Sequence, residues 1–349
     1  MATLTLHVGT HKTGSTSIQR ALRQARWALR GEGWQVLKTP PALDAGFMAA
    51  TAVDPARVRR LRRQLARATG ALALPAPRQL LSWEGCCGLP ELGYRNAPVV
   101  AEMLRQATAD FDDRRIVVYL RRQDDFVESM YTQKVQEGAS GAFADFLRGF
   151  DAAEALDYEH LLDAFARRFG AHNLVVRRHG PGAVAGFGAA LGIAALQTPR
   201  AQRHDNPAMS QAALEIARCT NAQLDERQRR RLRRVLQSAS PKPAGHGFRF
   251  FGPDQRAAFM ERHAASNARV AARWFAEGPP TLFSPLRHDA APPPVPTTPA
   301  LQAEQVAPIL VQLLSQQAAW RLWKRGPALT AQAAGGPFSS TVLPSGSSR

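Results

Sequence analysis

Residues 4–19 read LTLHVGTHKTGSTSIQ, and they place glycines, a lysine and a run of hydroxyl side chains between an apolar strand and a helix. Leu4, Leu6 and Val8 form the strand side, and the helix pattern starts near Ser15. Amides of such a loop converge on one point, and the positive end of the helix dipole faces the same point, so the segment predicts an anion cradle for a phosphate-like group.

Gly9 and Gly14 have the spacing of a nucleotide-triphosphate loop, G-x4-G-K-[ST], and Thr16 stands at its hydroxyl position. The lysine does not: Ser15 follows Gly14, and Lys12 lies two residues before it. A lysine moved in this way reaches a different part of the anion, which argues against a magnesium triphosphate held in the usual manner. The layout resembles the 5′-phosphosulfate loop of sulfotransferases that use PAPS (3′-phosphoadenosine 5′-phosphosulfate), above all the bacterial branch. The resemblance implies that Thr10, Lys12, Thr13, Gly14, Ser15, Thr16 and Ser17 hold the 5′ end of that cofactor, with Lys12 stabilising charge on the leaving bridge.

A second segment, RIVVYLRRQDDFVESMYTQ at 115–133, carries a buried parallel-strand pattern from Ile116 to Leu120, ending in Arg121-Arg122, then a helix. In the family, an arginine at this strand end and a serine eight residues on hold the 3′-phosphate; Arg121 and Ser129 match that spacing, and Asp125 falls where the family often has an aspartate. A guanidinium grips a phosphate with two bonds, and a hydroxyl reaches the third oxygen. In QLLSWEGCCG at 79–88, Leu80 and Leu81 end another strand, which puts Glu84 at the sheet edge as the candidate base; His11, inside the loop, is its rival. Cytosolic sulfotransferases close the cofactor site with an Arg-Lys-Gly loop near the C-terminus; there is no clean copy here, and Arg249 in PAGHGFRFFG is the candidate for that part.

The elements that must position these groups follow in order. A helix over about 15–29, a strand at Trp34–Leu37, helix over much of 41–75, the strand before Glu84, a helix near 95–109, the strand at 116–120 and a helix from Asp124 to about Glu137 alternate as βα units. Helices at 143–148 and 158–169, a strand at 174–176 and a late helix within 262–275 continue the pattern, some of it also resembling the bacterial sulfotransferases. The predicted fold class is α/β: a doubly wound parallel sheet flanked by helices, of the P-loop-like sulfotransferase kind. The predicted organisation is a sulfotransferase domain over 1–285, a proline-rich linker over 286–300, an amphipathic helix over 301–325 and a disordered tail over 326–349.

The chain has 349 residues, 45% of them hydrophobic, enough for a sizeable core, and a net charge of +17. That charge draws anionic partners, but the arginine runs at 57–67 and 227–234 have the apolar spacing of solvated helix faces and no aromatic interleaving, which disfavours nucleic acid. Cys86, Cys87 and Cys219 fit no disulfide framework or metal spacing, and the chain shows no signal-peptide pattern or run of the roughly 20 apolar residues a spanning helix needs. The expectation is a cytoplasmic bacterial enzyme, with homo-oligomerisation and peripheral membrane contact through the C-terminal helix left open. Its expected reaction moves a sulfuryl group from PAPS to a hydroxyl of a carbohydrate, lipid or small metabolite, leaves adenosine 3′,5′-bisphosphate, and needs no metal. The alternatives are a small-molecule kinase, with Asp124 or Asp125 for magnesium, and a non-catalytic anion- or glycan-binding protein on the same fold.

Overall fold

The computed structural model describes residues 3–70, 78–152, 154–197, 209–239, 249–279 and 281–283, together with Ile309. Five strands, β1 (Thr3–His7), β2 (Trp34–Val36), β3 (Arg78–Ser82), β4 (Asp113–Leu120) and β5 (Leu174–Arg178), form one sheet in the order β2-β3-β1-β4-β5, with every pair parallel. Parallel neighbours demand crossovers, and helices supply them. In chain order these are α1 (Ser15–Gln24), α2 (Arg26–Gly31), α3 (Ala45–Met48), α4 (Pro55–Gly70), α5 (Ala97–Ala107), α6 (Gln123–Glu137), α7 (Phe143–Leu147), α8 (Tyr158–Phe169) and α9 (Ala183–Leu191). Four more follow: α10 (Gln211–Asn221), α11 (Glu226–Ala239), α12 (Pro253–Glu261) and α13 (Ala264–Trp274).

The pleat divides the strand side chains between two cores. Leu4, Leu6, Leu81, Ile116, Val118 and Leu120 face a large cluster built with α4, α5, α6 and α8. Leu80, Val117 and Tyr119 face the other side, against Ile18 and Leu22 of α1, Leu29 of α2 and Phe187 of α9. Helices therefore cover both faces, which makes the sheet doubly wound and explains why its central strands read as nearly continuous apolar runs. The helix expected over 15–29 breaks at Ala25, whose ψ of 9° leaves helical geometry, and the short α2 still buries Leu29 on the same face.

A third cluster joins Tyr131 and Val135 of α6 to Leu214 and Ala217 of α10 and Leu236 of α11. Ile309 is buried in it. The expected linker and tail, and all but that one residue of the expected C-terminal helix, lie outside the described residues. Among the described residues, no helix is long and apolar enough to cross a membrane.

Candidate functional site

The loop after β1 lies over the carboxyl edge of the sheet, where open α/β sheets bind ligands. It is fastened there strand by strand. Val8 donates to Val117 O (3.1 Å), and Thr10 donates to Tyr119 O through both its amide (3.2 Å) and its hydroxyl (2.8 Å). The Thr13 hydroxyl donates back to Thr10 O at 2.6 Å. Thr10, expected among the anion-binding groups, thus spends its donors on loop shape, and Thr13 keeps only its amide for a ligand. Three residues have left-handed backbones: Gly9 (φ 38°), Lys12 (φ 64°) and Gly14 (φ 85°). These turns leave the amides of Lys12, Thr13 and Gly14 without a backbone acceptor among the described residues, and the first helical bond of α1 runs from Ile18 to Gly14. The amides of Ser15, Thr16 and Ser17 are the orphan donors of a helix start. Residues 12–17 therefore carry six consecutive N–H groups with no backbone acceptor among the described residues.

His7 and Tyr94 brace this cradle from below. His7 Nδ1 lies 2.8 Å from Ser82 Oγ, and its ring meets Tyr119 and Phe187 edge-on. Burial pushes its pKa down to about 4, so it packs as a neutral imidazole. A Cβ at Gly9 would stand 3.0 Å from His7 Nε2 and 3.2 Å from Ser15 Oγ, so both the left-handed φ and the close approach call for glycine. Tyr94, fully buried, accepts the His11 amide at 2.8 Å and lies 3.2 Å from His11 Nδ1. The Tyr94 hydroxyl therefore ties the His11 ring and backbone to the loop, and the direction of its bond to Nδ1 follows the imidazole tautomer. Burial lowers the His11 pKa to about 4, with Glu91 opposing and Lys134 and Lys12 assisting. His11 is thus a neutral imidazole at pH 7, held against Tyr94. Cys87 supports the same turn through its thiol, 2.9 Å from Gly9 O.

Glu84 opens the short turn Glu84–Cys87 after β3. Burial raises its pKa above the usual carboxylate range; the nearby Ser15 hydroxyl and Lys12 charge pull the other way. Its Oε2 and the Ser15 Oγ are buried, and neither makes a hydrogen bond of good geometry among the described residues. The Lys12 ammonium is itself pushed down, first by burial and next by Arg121. Lys12, Glu84 and Ser15 thus form one end of the site.

Arg121 links that end to a second one. Its Nη1 donates to Lys12 O at 2.9 Å, and the Tyr158 hydroxyl donates to Arg121 O. Ser129 is half-buried on α6, one turn after Asp125 and on the same face. Arg249 reaches this face: its Nη1 lies 2.5 Å from Asp125 Oδ1 and 3.0 Å from Glu128 Oε2. Glu128 also accepts the amides of Phe250 and Phe251 (2.7 and 3.1 Å), which clamps the Arg249 segment onto α6. Below it, Asp124 is fully buried and bonded to Arg122 at 2.9 Å and Arg256 at 2.6 Å. His179, at the end of β5, completes the rim beside Thr13 and Arg121, and burial followed by the Arg121 charge lowers its pKa. Tyr94 and His179 escaped the sequence reading; only the strand-end position of HGPG at 179–182 offered a signal for the latter.

Hydrogen-bond donors thus gather at two ends of the sheet edge: loop amides, Lys12 and hydroxyls at one, and Arg121, Ser129 and the ion-paired Arg249 at the other. No protein-family model matches the chain, and no curated protein matches it. Among solved structures, it is similar to a sulfotransferase from Alicyclobacillus acidocaldarius, at 15% identity and a TM-score of 0.37, over 65% of this chain and 98% of that one.

Proposed function

We propose that the chain is a PAPS-dependent sulfotransferase acting on a hydroxyl of a carbohydrate, lipid or small metabolite. The observation that carries this reading is the Arg121–Lys12 bond, which couples an anion cradle to a second, arginine-rich anion site at the neighbouring strand end. PAPS has a phosphosulfate at one end of its ribose and a phosphate at the other, and when bound it supplies the sulfuryl group. The amides of residues 12–17 and the hydroxyls of Ser15, Thr16 and Ser17 hold the 5′ end. Arg121 and Ser129 hold the 3′-phosphate, with Arg249 closing over it. Lys12 places positive charge at the bridge, so that positioning and electrostatics carry most of the work. Glu84 takes the proton from the acceptor hydroxyl; its raised pKa makes it a stronger base than an ordinary carboxylate.

The kinase alternative needs magnesium ligands from Asp124 or Asp125. Asp124 is enclosed by Arg122 and Arg256, and Asp125 is paired with Arg249. Lys12 and Glu84 have no ion-pair partner within 4 Å among the described residues, whereas Arg249 has to share its charge between Asp125, Glu128 and the 3′-phosphate. Calorimetric titration with adenosine 3′,5′-bisphosphate and with ADP, each with and without magnesium, tests the choice. Metal-independent preference for the bisphosphate supports the sulfotransferase. Preference for ADP with magnesium supports the kinase, and binding of neither points to a non-catalytic protein.

A further inference from the structure

A cleft of about 440 Å³ opens between α1 and the ends of β2 and β3, lined in part by Gln19, Arg23, Arg26, Lys38, Thr39 and Ser82. Its position ties it to the site. Gln19 lies one helical turn after Ser15, the residue beside Glu84, and its side-chain amide donates to Ser82 O at 3.4 Å. Ser82 ends β3 two residues before Glu84. From Ser15 the cleft follows α1 to Arg23, eight residues on and therefore about 12 Å away.

Its chemistry is one-sided. Three cations line it, and among the described residues no acidic side chain does. Among the described residues, none of Arg23, Arg26 and Lys38 has a carboxylate partner, whereas many arginines elsewhere on the surface are paired, as Arg62 is with Asp110 and Arg269 with Glu159. A lined concavity of this size holds a small ligand or the end of a larger one, and unpaired cations in it favour oxyanions. We infer that this cleft binds the acceptor, and that the acceptor carries a phosphate, sulfate or carboxylate some distance from the hydroxyl presented to Glu84. The inference rests on the proposed function for its choice of ligand role, and on the cleft alone for its choice of charge.

Calorimetric titrations with a trisulfated heparin disaccharide, glucose 6-phosphate and the neutral N,N′-diacetylchitobiose test it, each run with and without saturating adenosine 3′,5′-bisphosphate. The expected result is binding of at least one anion, no binding of the neutral sugar, and a tenfold or greater loss in the Arg23→Glu, Lys38→Glu double variant. Which anion binds separates sulfated from phosphorylated acceptors. Arg60→Glu, on the exposed face of α4, serves as control and leaves the affinity unchanged. Equal binding of the neutral sugar, binding of neither anion, or equal loss in the control variant overturns the inference. Failure of the bisphosphate to bind refutes the sulfotransferase reading by itself, and the nucleotide-free titrations still decide the charge preference of the cleft.

Discussion

Arg121 has two separable jobs in the proposed mechanism, and replacing it with alanine distinguishes them. One guanidinium nitrogen, Nη1, is bonded to Lys12 O, which leaves the Nε–Nη2 edge for a bidentate grip on a phosphate. Losing the loop bond costs about 1 kcal/mol and weakens every ligand of the cradle alike. Losing two charge-assisted bonds to the 3′-phosphate costs about 3–6 kcal/mol, reduced where Arg249, on the same face of α6, takes over part of the charge. The expected loss of affinity for adenosine 3′,5′-bisphosphate is therefore about 100- to 1,000-fold, against about fivefold for adenosine 5′-monophosphate, which lacks the second phosphate. Calorimetry of wild type and variant with both nucleotides forms a double-mutant cycle between the side chain and the phosphate. Equal losses for the two ligands would refute the 3′-phosphate assignment and reduce Arg121 to a brace for the loop.

Glu84→Gln is expected to lower kcat by about 10²- to 10⁴-fold while leaving bisphosphate affinity nearly unchanged, and to remove the acid limb of the kcat/KM profile; unchanged turnover in a steady-state assay would remove Glu84 from the mechanism. Arg256→Ala takes one of two arginine partners from each of the buried carboxylates Asp124 and Glu128, which keep Arg122 and Arg249, and its expected cost is about 1–3 kcal/mol in urea unfolding. His7 makes stability depend on pH. Its folded pKa of about 4 lies below the ordinary 6.5, so between those values the unfolded chain binds more protons, and stability falls as pH falls through that window. The share of His7 in that loss is about 2 kcal/mol between pH 6.5 and 5, so a His7→Asn variant shows a shallower dependence when unfolding is measured at both values.

The cradle was legible because its chemistry is local. Consecutive amides can meet one anion only if the chain turns tightly between a strand and a helix, and that requirement writes glycines and hydroxyls into one short stretch. The strand and helix of 115–133 were legible for a similar reason: the switch from continuous apolar residues to helical spacing falls at Arg121, so the position of the arginine at a sheet edge follows from period alone.

Tertiary packing decided what each of these groups does. Tyr94 meets His11 across 83 positions, and no periodicity forecasts a pairing at that distance; yet that contact helps bury His11 as a neutral ring inside the loop. Thr10 looked like a ligand-binding hydroxyl, but parallel pairing of β1 with β4 carries it past Tyr119 O, which takes its donors. Arg249 comes to Asp125 from 124 residues away because Glu128 captures the neighbouring amides. Spacing along the chain determines which groups are available, since backbone geometry repeats over a few residues. Which of them remain free for a ligand depends on contacts between elements far apart in sequence, and these exist only once the two cores have closed around the sheet.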